Sequence, residues 1–193
     1  MIRVATSEDL SAIVAIYNEA IARGFATADI EPVTVSSRQS LFAEHEQRCH
    51  PIYVCDDGVE VKAWCSLSPY RAGRKALRFT AEISYYVRAD LYRRGYASSL
   101  VQHAITECAS LQIKSLIAIV LERNVASCGL LEKMKFEKWG FLPRVADFSG
   151  DECGHVYYGR RINQPNQTPE PTSTAVTPPA VAGDRASGTR GSP

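Results

Sequence analysis

The segment Thr80 to Leu100, TAEISYYVRADLYRRGYASSL, carries the residues best suited to chemistry: a β-branched and aromatic run, a basic turn containing Gly95, then a helix. A turn that closes on a helix N-terminus aims several unpaired backbone N–H groups at one spot, where the helix dipole adds partial positive charge. Such a spot favours an anion, and phosphate suits it well. Gly95 lets the backbone come close, and Arg93 and Arg94 add full charges. An ordinary strand, turn and helix of an α/β protein has the same outline, so this segment alone leaves both readings open. Within it, Glu82 is a carboxylate between apolar strand positions. Partial burial there raises a carboxyl's pKa and suits it to take up a proton as a general base. The competing reading is a structural ion pair with Arg78 or Arg71.

The elements around this segment follow from periodicity. Ser7 is placed as an N-cap, and Leu10, Ile13, Val14, Tyr17, Ala20 and Ile21 recur at helical spacing to about Ala22. Ser36 or Ser37 is expected to cap a second helix with Leu41, Phe42 and His45 on one side, and Pro51 ends that region. Strands are expected at Ile52–Cys55 and Val59–Leu67 around the turn Asp56-Asp57-Gly58, and again at Thr80–Val87. The helix from Gly95 points Leu100, Val101, Ala104, Ile105 and Cys108 inward and leads to an apolar strand, Leu116–Leu121. That strand-helix-strand crossover implies a parallel pair. A helix over Asn124–Lys135 and closing strands over Phe136–Phe148 and His155–Ile162 complete a mixed α/β order. From Asn163 to Pro193 there is no aromatic residue, and Pro, Thr, Ser, Ala and Gly dominate, the composition of a disordered tail. The expected division is therefore one domain over 1–162 and a tail over 163–193.

With 193 residues, 45% of them hydrophobic, the chain can bury one good core. A formal net charge of +1 argues against a nucleic-acid partner. The six cysteines show no CxxC pair and no ligand-like spacing with His, so no metal is expected and reduced thiols are. The opening residues resemble neither a secretory signal nor a transit peptide, which makes the cytoplasm the expected location and a membrane no partner. His45 and His103 read as surface or interface residues, His50 as a helix-end residue, and His155 as part of the last strand.

Four further segments occur in a familiar order: IRVATSEDLSAIVAIYNEAI from Ile2, ATADIEPVTVSSRQSLFAEH from Ala26, SLSPYRAGRKALRFTAEISYYV from Ser66, and NVASCGLLEKMKF from Asn124. Over roughly Met1 to Ile162 the chain resembles the GNAT superfamily of acetyl-CoA-dependent N-acetyltransferases, and within it the phosphinothricin and methionine sulfoximine N-acetyltransferases. The resemblance implies a mostly antiparallel central sheet flanked by helices, acetyl-CoA as co-substrate, no metal, a small amino acid or analogue as acceptor, and a homodimer. It makes Glu82 the catalytic base. It gives Tyr85, Tyr86 and Val87 to the pantetheine arm, and the turn Arg93, Arg94, Gly95, Tyr96, Ala97 and Ser98 to the pyrophosphate. Asn124 and Ser127 become cofactor contacts, although Asn124 is equally a good N-cap. Arg71, Gly73 and Lys75 fall in the family's substrate loop, where an Arg can grip a carboxylate through two parallel hydrogen bonds. Taken alone, that loop reads as a solvated basic stretch.

The chain departs from the family pattern at Tyr92, where Gln or Arg is usual, at Leu131 in place of His, and at Lys135 in place of Gly. Asp151 to His155 also replace an aromatic-aspartate segment. Tyr157, Tyr158 and Cys128 are open alternatives for the proton given to the leaving thiolate. Two other readings remain beside the small-molecule enzyme: acetylation of a protein N-terminus or polyamine, and a non-catalytic module that senses acyl-CoA.

Overall fold

The computed structural model describes residues 1–45 and 49–162, so the tail expected from Asn163 lies outside the described residues. The strands are β1 (Ile2–Val4), β2 (Ile52–Asp56), β3 (Val61–Pro69), β4 (Thr80–Val87), β5 (Ser115–Leu121), β6 (Glu137–Phe148) and β7 (Asp151–Arg161). The helices are α1 (Leu10–Ala22), α2 (Val35–Glu44), α3 (Tyr96–Glu107) and α4 (Val125–Lys133). All seven strands form one sheet in the order β1-β2-β3-β4-β5-β7-β6. Every neighbouring pair is antiparallel except β4 with β5, which α3 connects.

The two faces of the sheet are covered separately. Leu100, Val101, Ala104 and Ile105 of α3 pack on Ala63, Cys65 and Leu67 of β3 and on Ala81 and Ile83 of β4. On the other face, Ile13 and Ile16 of α1 pack on Ile52, Val54 and Trp64, with Tyr17, Phe42 and Tyr86 beside them. The side chains of β4 therefore alternate between the two clusters, as the pleat requires.

Several boundaries differ from expectation. Ser7 is not a cap: it opens a short 3-10 turn, Ser7–Asp9, whose cap is Thr6, with the Thr6 N–H donating to Asp9 Oδ2 at 2.7 Å. Thr34, rather than Ser36 or Ser37, caps α2, because its extended backbone lets Oγ1 accept from Ser37 N at 3.1 Å. Phe42 and His45 are half-buried, and the side chain of Leu41 lies outside the described ones. β1 is too short to show a period, and only its pairing with β2 reveals it. β3 starts at Val61, not Val59, since Asp57 Oδ1 accepts from the N–H groups of Val59 and Glu60 and lengthens the turn. β7 starts at Asp151, earlier than His155, because Ser149 (φ 60) and Gly150 (φ 94) close a two-residue hairpin with β6. Lys135, where the family pattern has glycine, adopts φ 59 at the end of α4 and bears the strain that glycine avoids.

Arg3 fixes the entry to α1. Its Nη1 and Nη2 donate to Asp9 Oδ2 and Oδ1 at 2.7 and 2.8 Å, and its Nε pairs with Asp56 at 2.7 Å. Asp9 is only 7% exposed, and the Arg3 guanidinium holds its carboxyl below the ordinary value of 3.8. Asp9→Asn should lower unfolding free energy by about 2 kcal/mol at neutral pH. A lowered carboxyl pKa stabilises above the unfolded value, so urea titrations should show the difference fading as pH falls through the folded pKa.

Candidate active site

β4 and β5 hydrogen-bond only from Thr80 to Glu82 and from Ser115 to Ile117. Beyond that rung the strands part, and a cleft of about 430 Å³ opens between Ile83–Val87 and Ala118–Val120. In a strand, alternate peptide groups face each neighbour, so the outer part of β4 presents backbone donors and acceptors to this cleft rather than to β5.

At the wide end lies the start of α3. Its N-cap, Gly95, has φ 89 and offers no side chain to the first-turn N–H groups, whereas Thr34 caps α2 and Asn124 caps α4. Those N–H groups lie at the cleft that Gly95 to Ser98 line, and the dipole of a twelve-residue helix favours an anion there. Arg93 adopts φ 62, so the turn is left-handed at two residues on either side of Arg94.

The structure brings most of the expected cofactor residues to this cleft. Tyr85, Tyr86 and Val87 line it from β4, and Arg93, Gly95, Tyr96, Ala97 and Ser98 from the turn and α3. Asn124 and Ser127 line it from α4; Asn124 Oδ1 accepts from Ser127 N at 3.2 Å, and Ser127 Oγ lies 2.5 Å from the Tyr85 hydroxyl. Arg94 is exposed and stays off the wall. Arg23 and Phe25, from the end of α1, also line the cleft and were not singled out in the sequence. No local pattern marks them, because their role depends on where α1 ends over the sheet.

Glu82 occupies the last paired rung, adjoining the cleft where the strands part but not on its wall, opposite Ser68 on β3 and Ile117 on β5. It is half-buried, and burial pushes its carboxyl above the ordinary range. Among the described residues it makes no ion pair. Arg78 Nη1 instead donates to the Lys75 carbonyl at 3.0 Å with its guanidinium 4.1 Å from the Phe79 ring, and Arg71 lies 5.8 Å from the Tyr70 ring.

Arg71 (φ 58), Gly73 (φ 80) and Lys75 lie in the exposed connection between β3 and β4, at the apex end of β4 and away from Gly95. They do not line the main cleft. A smaller hollow of about 180 Å³ lies under α1 and α2, where His45 Nε2 is 3.1 Å from Ser68 Oγ, and it shares Ser84 and Tyr86 with the main cleft. Tyr157, Tyr158 and Cys128 are not on the cleft wall, and Tyr158 donates to Glu132 Oε1 at 2.9 Å. Leu131 is fully buried in the core. Among the described residues no cluster of three or more His, Cys, Asp or Glu could hold a metal ion.

Residues 1–137 match the family model "Acetyltransferase (GNAT) domain". This chain belongs to the GNAT acetyltransferases. It is 37% identical over 163 residues to the Bacillus subtilis (strain 168) protein named "Putative phosphinothricin acetyltransferase YwnH", covering 84% of this chain and 99% of that one. It is 33% identical over 150 residues to an L-methionine sulfoximine/L-methionine sulfone acetyltransferase of Pseudomonas aeruginosa, covering 77% and 87%. The fold matches an N-acetyltransferase from Staphylococcus aureus Mu50 with TM-score 0.79 and 31% identity, over 84% of this chain and 98% of that one. It also matches a Sinorhizobium meliloti phosphinothricin acetyltransferase in complex with AcCoA, with TM-score 0.78 and 24% identity, over 84% and 88%.

The enzyme is thus an acetyltransferase of a family that uses acetyl-CoA. The cleft fits that co-substrate: unpaired strand backbone suits the pantetheine amides, and an uncapped helix start suits the pyrophosphate. Gly95→Ala places a side chain at φ 89, a strain of about 1 kcal/mol. Urea unfolding of the variant without ligand should therefore show stability lowered by about that amount.

Proposed function

We propose that this acetyltransferase moves the acetyl group of acetyl-CoA to the amino group of a small amino acid or analogue, of the phosphinothricin or methionine sulfoximine kind. The proposed general base is Glu82. The observation that carries the reading is a half-buried carboxylate without an ion pair at the apex where β4 and β5 part. The named activities of the relatives support the acceptor class.

An amine is largely protonated near neutral pH, so attack on a thioester requires a base. Glu82 takes the proton, directly or through one water, as the amine nitrogen bonds to the acetyl carbon. N–H groups of β4 facing the cleft hold the oxygen as negative charge develops. The carbon–sulfur bond then breaks, and CoA leaves as the thiol after gaining a proton. No cysteine acyl-enzyme is needed. Tyr85, Tyr86 and Val87 offer main-chain partners to pantetheine, and Arg93 and the N–H groups of Gly95 to Ser98 hold the pyrophosphate, with exposed Arg94 outside the wall. Asn124 and Ser127 close the α4 side. Arg71 and Lys75 receive the acceptor's carboxylate, with Gly73 giving their loop its turn; this anionic preference disfavours a polyamine.

Glu82→Gln should lower kcat with an amino-acid acceptor by about 10²- to 10⁴-fold while CoA binding persists. In the wild type, burial raises the carboxyl pKa, so the rate should climb through a pKa above that of a free carboxylate as pH increases. Thiol release measured against amino acids, methionine sulfoximine, phosphinothricin, polyamines and peptides checks both. Unchanged turnover in the variant would remove Glu82 from the role, and CoA binding without turnover on any acceptor would favour the sensor.

We propose also that the enzyme is a cytoplasmic homodimer. All six cysteines are free thiols, which supports a reducing compartment. Among the described residues no helix is long and apolar enough to cross a membrane. Edge strand β6 exposes Trp139, Phe141, Leu142 and Val145, an apolar strip that a second copy would cover. Sedimentation should give the mass of two chains, and Leu142→Glu should shift it to one.

A further inference from the structure

Tyr92 occupies the turn position that the family pattern fills with Gln or Arg, yet a cation lies directly on its ring. The Arg23 guanidinium is 4.3 Å from the Tyr92 ring centroid and 5.8 Å from that of Phe25, and all three residues line the cleft. The end of α1 delivers it: Arg23 is the C-cap, and Gly24 (φ 70) donates its N–H to the Ile21 carbonyl at 2.9 Å and turns the chain away. Among the described residues Arg23 enters no ion pair, whereas Arg3, Arg38, Arg88, Arg123 and Arg144 each hold a carboxylate. A guanidinium resting its face on an aromatic ring keeps its in-plane N–H donors free, and that planar fork matches phosphate oxygens.

We propose that Arg23 supplies, from α1, the phosphate-binding cation that position 92 lacks. Tyr92 is then a positioning residue that holds the guanidinium beside the Gly95 turn, and the ligand group is the diphosphate of CoA. This rests on reading the main cleft as the CoA site. Arg23 is far along the chain from the turn it serves, so a motif read along the sequence cannot include it.

Binding of CoA and of dephospho-CoA by calorimetry, and KM for acetyl-CoA and for acetyl-pantetheine, test it. Arg23→Ala and Arg23→Gln should weaken both CoA forms about tenfold, since both keep the diphosphate, and leave KM for acetyl-pantetheine at the wild-type value. Tyr92→Leu should weaken CoA binding by less, and the double variant Arg23→Ala/Tyr92→Arg should recover most of the affinity by returning the cation to the turn. Melting temperatures without ligand confirm that each variant is folded. Wild-type affinity in both Arg23 variants would overturn the proposal, and so would an equal loss with acetyl-pantetheine, which would mean packing rather than phosphate recognition. Absence of CoA binding by the wild type would instead overturn the reading of the cleft.

Discussion

The parallel pairing of β4 with β5 lasts three rungs, and the rest of the molecule depends on where it stops. Had the ladder continued to Val87, the backbone of Ile83–Val87 would be satisfied by β5 and the cleft would be a sheet interior. Because the strands part after Glu82 and Ile117, a row of strong donors and acceptors needs other partners. An elongated ligand carrying amides can act there as a temporary strand. The same parting exposes the start of α3, so strand backbone and helix N-terminus face one opening.

Each strand remains held on its far side. β4 pairs with β3 along Ala63–Pro69, and β5 pairs with β7 along its whole length. The wedge therefore stays open without the sheet coming apart, and α3 and α1 bind its two faces through separate apolar clusters. Glu82 sits on the last rung the two strands share, deep enough for burial to disfavour its charged form.

Much of this was legible in local pattern. The apolar positions of α1 and α3, the bounds of β4 and the crossover that made β4 and β5 parallel all follow from periodicity, because burial of one face imposes it. Two of the misplaced boundaries were decided by local side-chain hydrogen bonds. Thr34 outcompeted its neighbouring serines because its backbone was extended, and Asp57 delayed β3 by capturing two N–H groups. Such competitions turn on dihedral angles that neighbouring residues of similar type do not reveal.

By itself, the sequence determined which residues could do chemistry: a carboxylate on a central strand, a basic glycine turn before a helix, and enough apolar residues for one core. It did so because these depend on residue type and short spacing. Only the tertiary structure decided that β4 and β5 separate at Glu82, that Glu82 escapes Arg78 and Arg71, that the Arg71 loop and the Gly95 turn lie at opposite ends of β4, and that Arg23 returns from α1 to rest on Tyr92. Those facts concern the distance between segments remote along the chain, and packing across the sheet sets that distance.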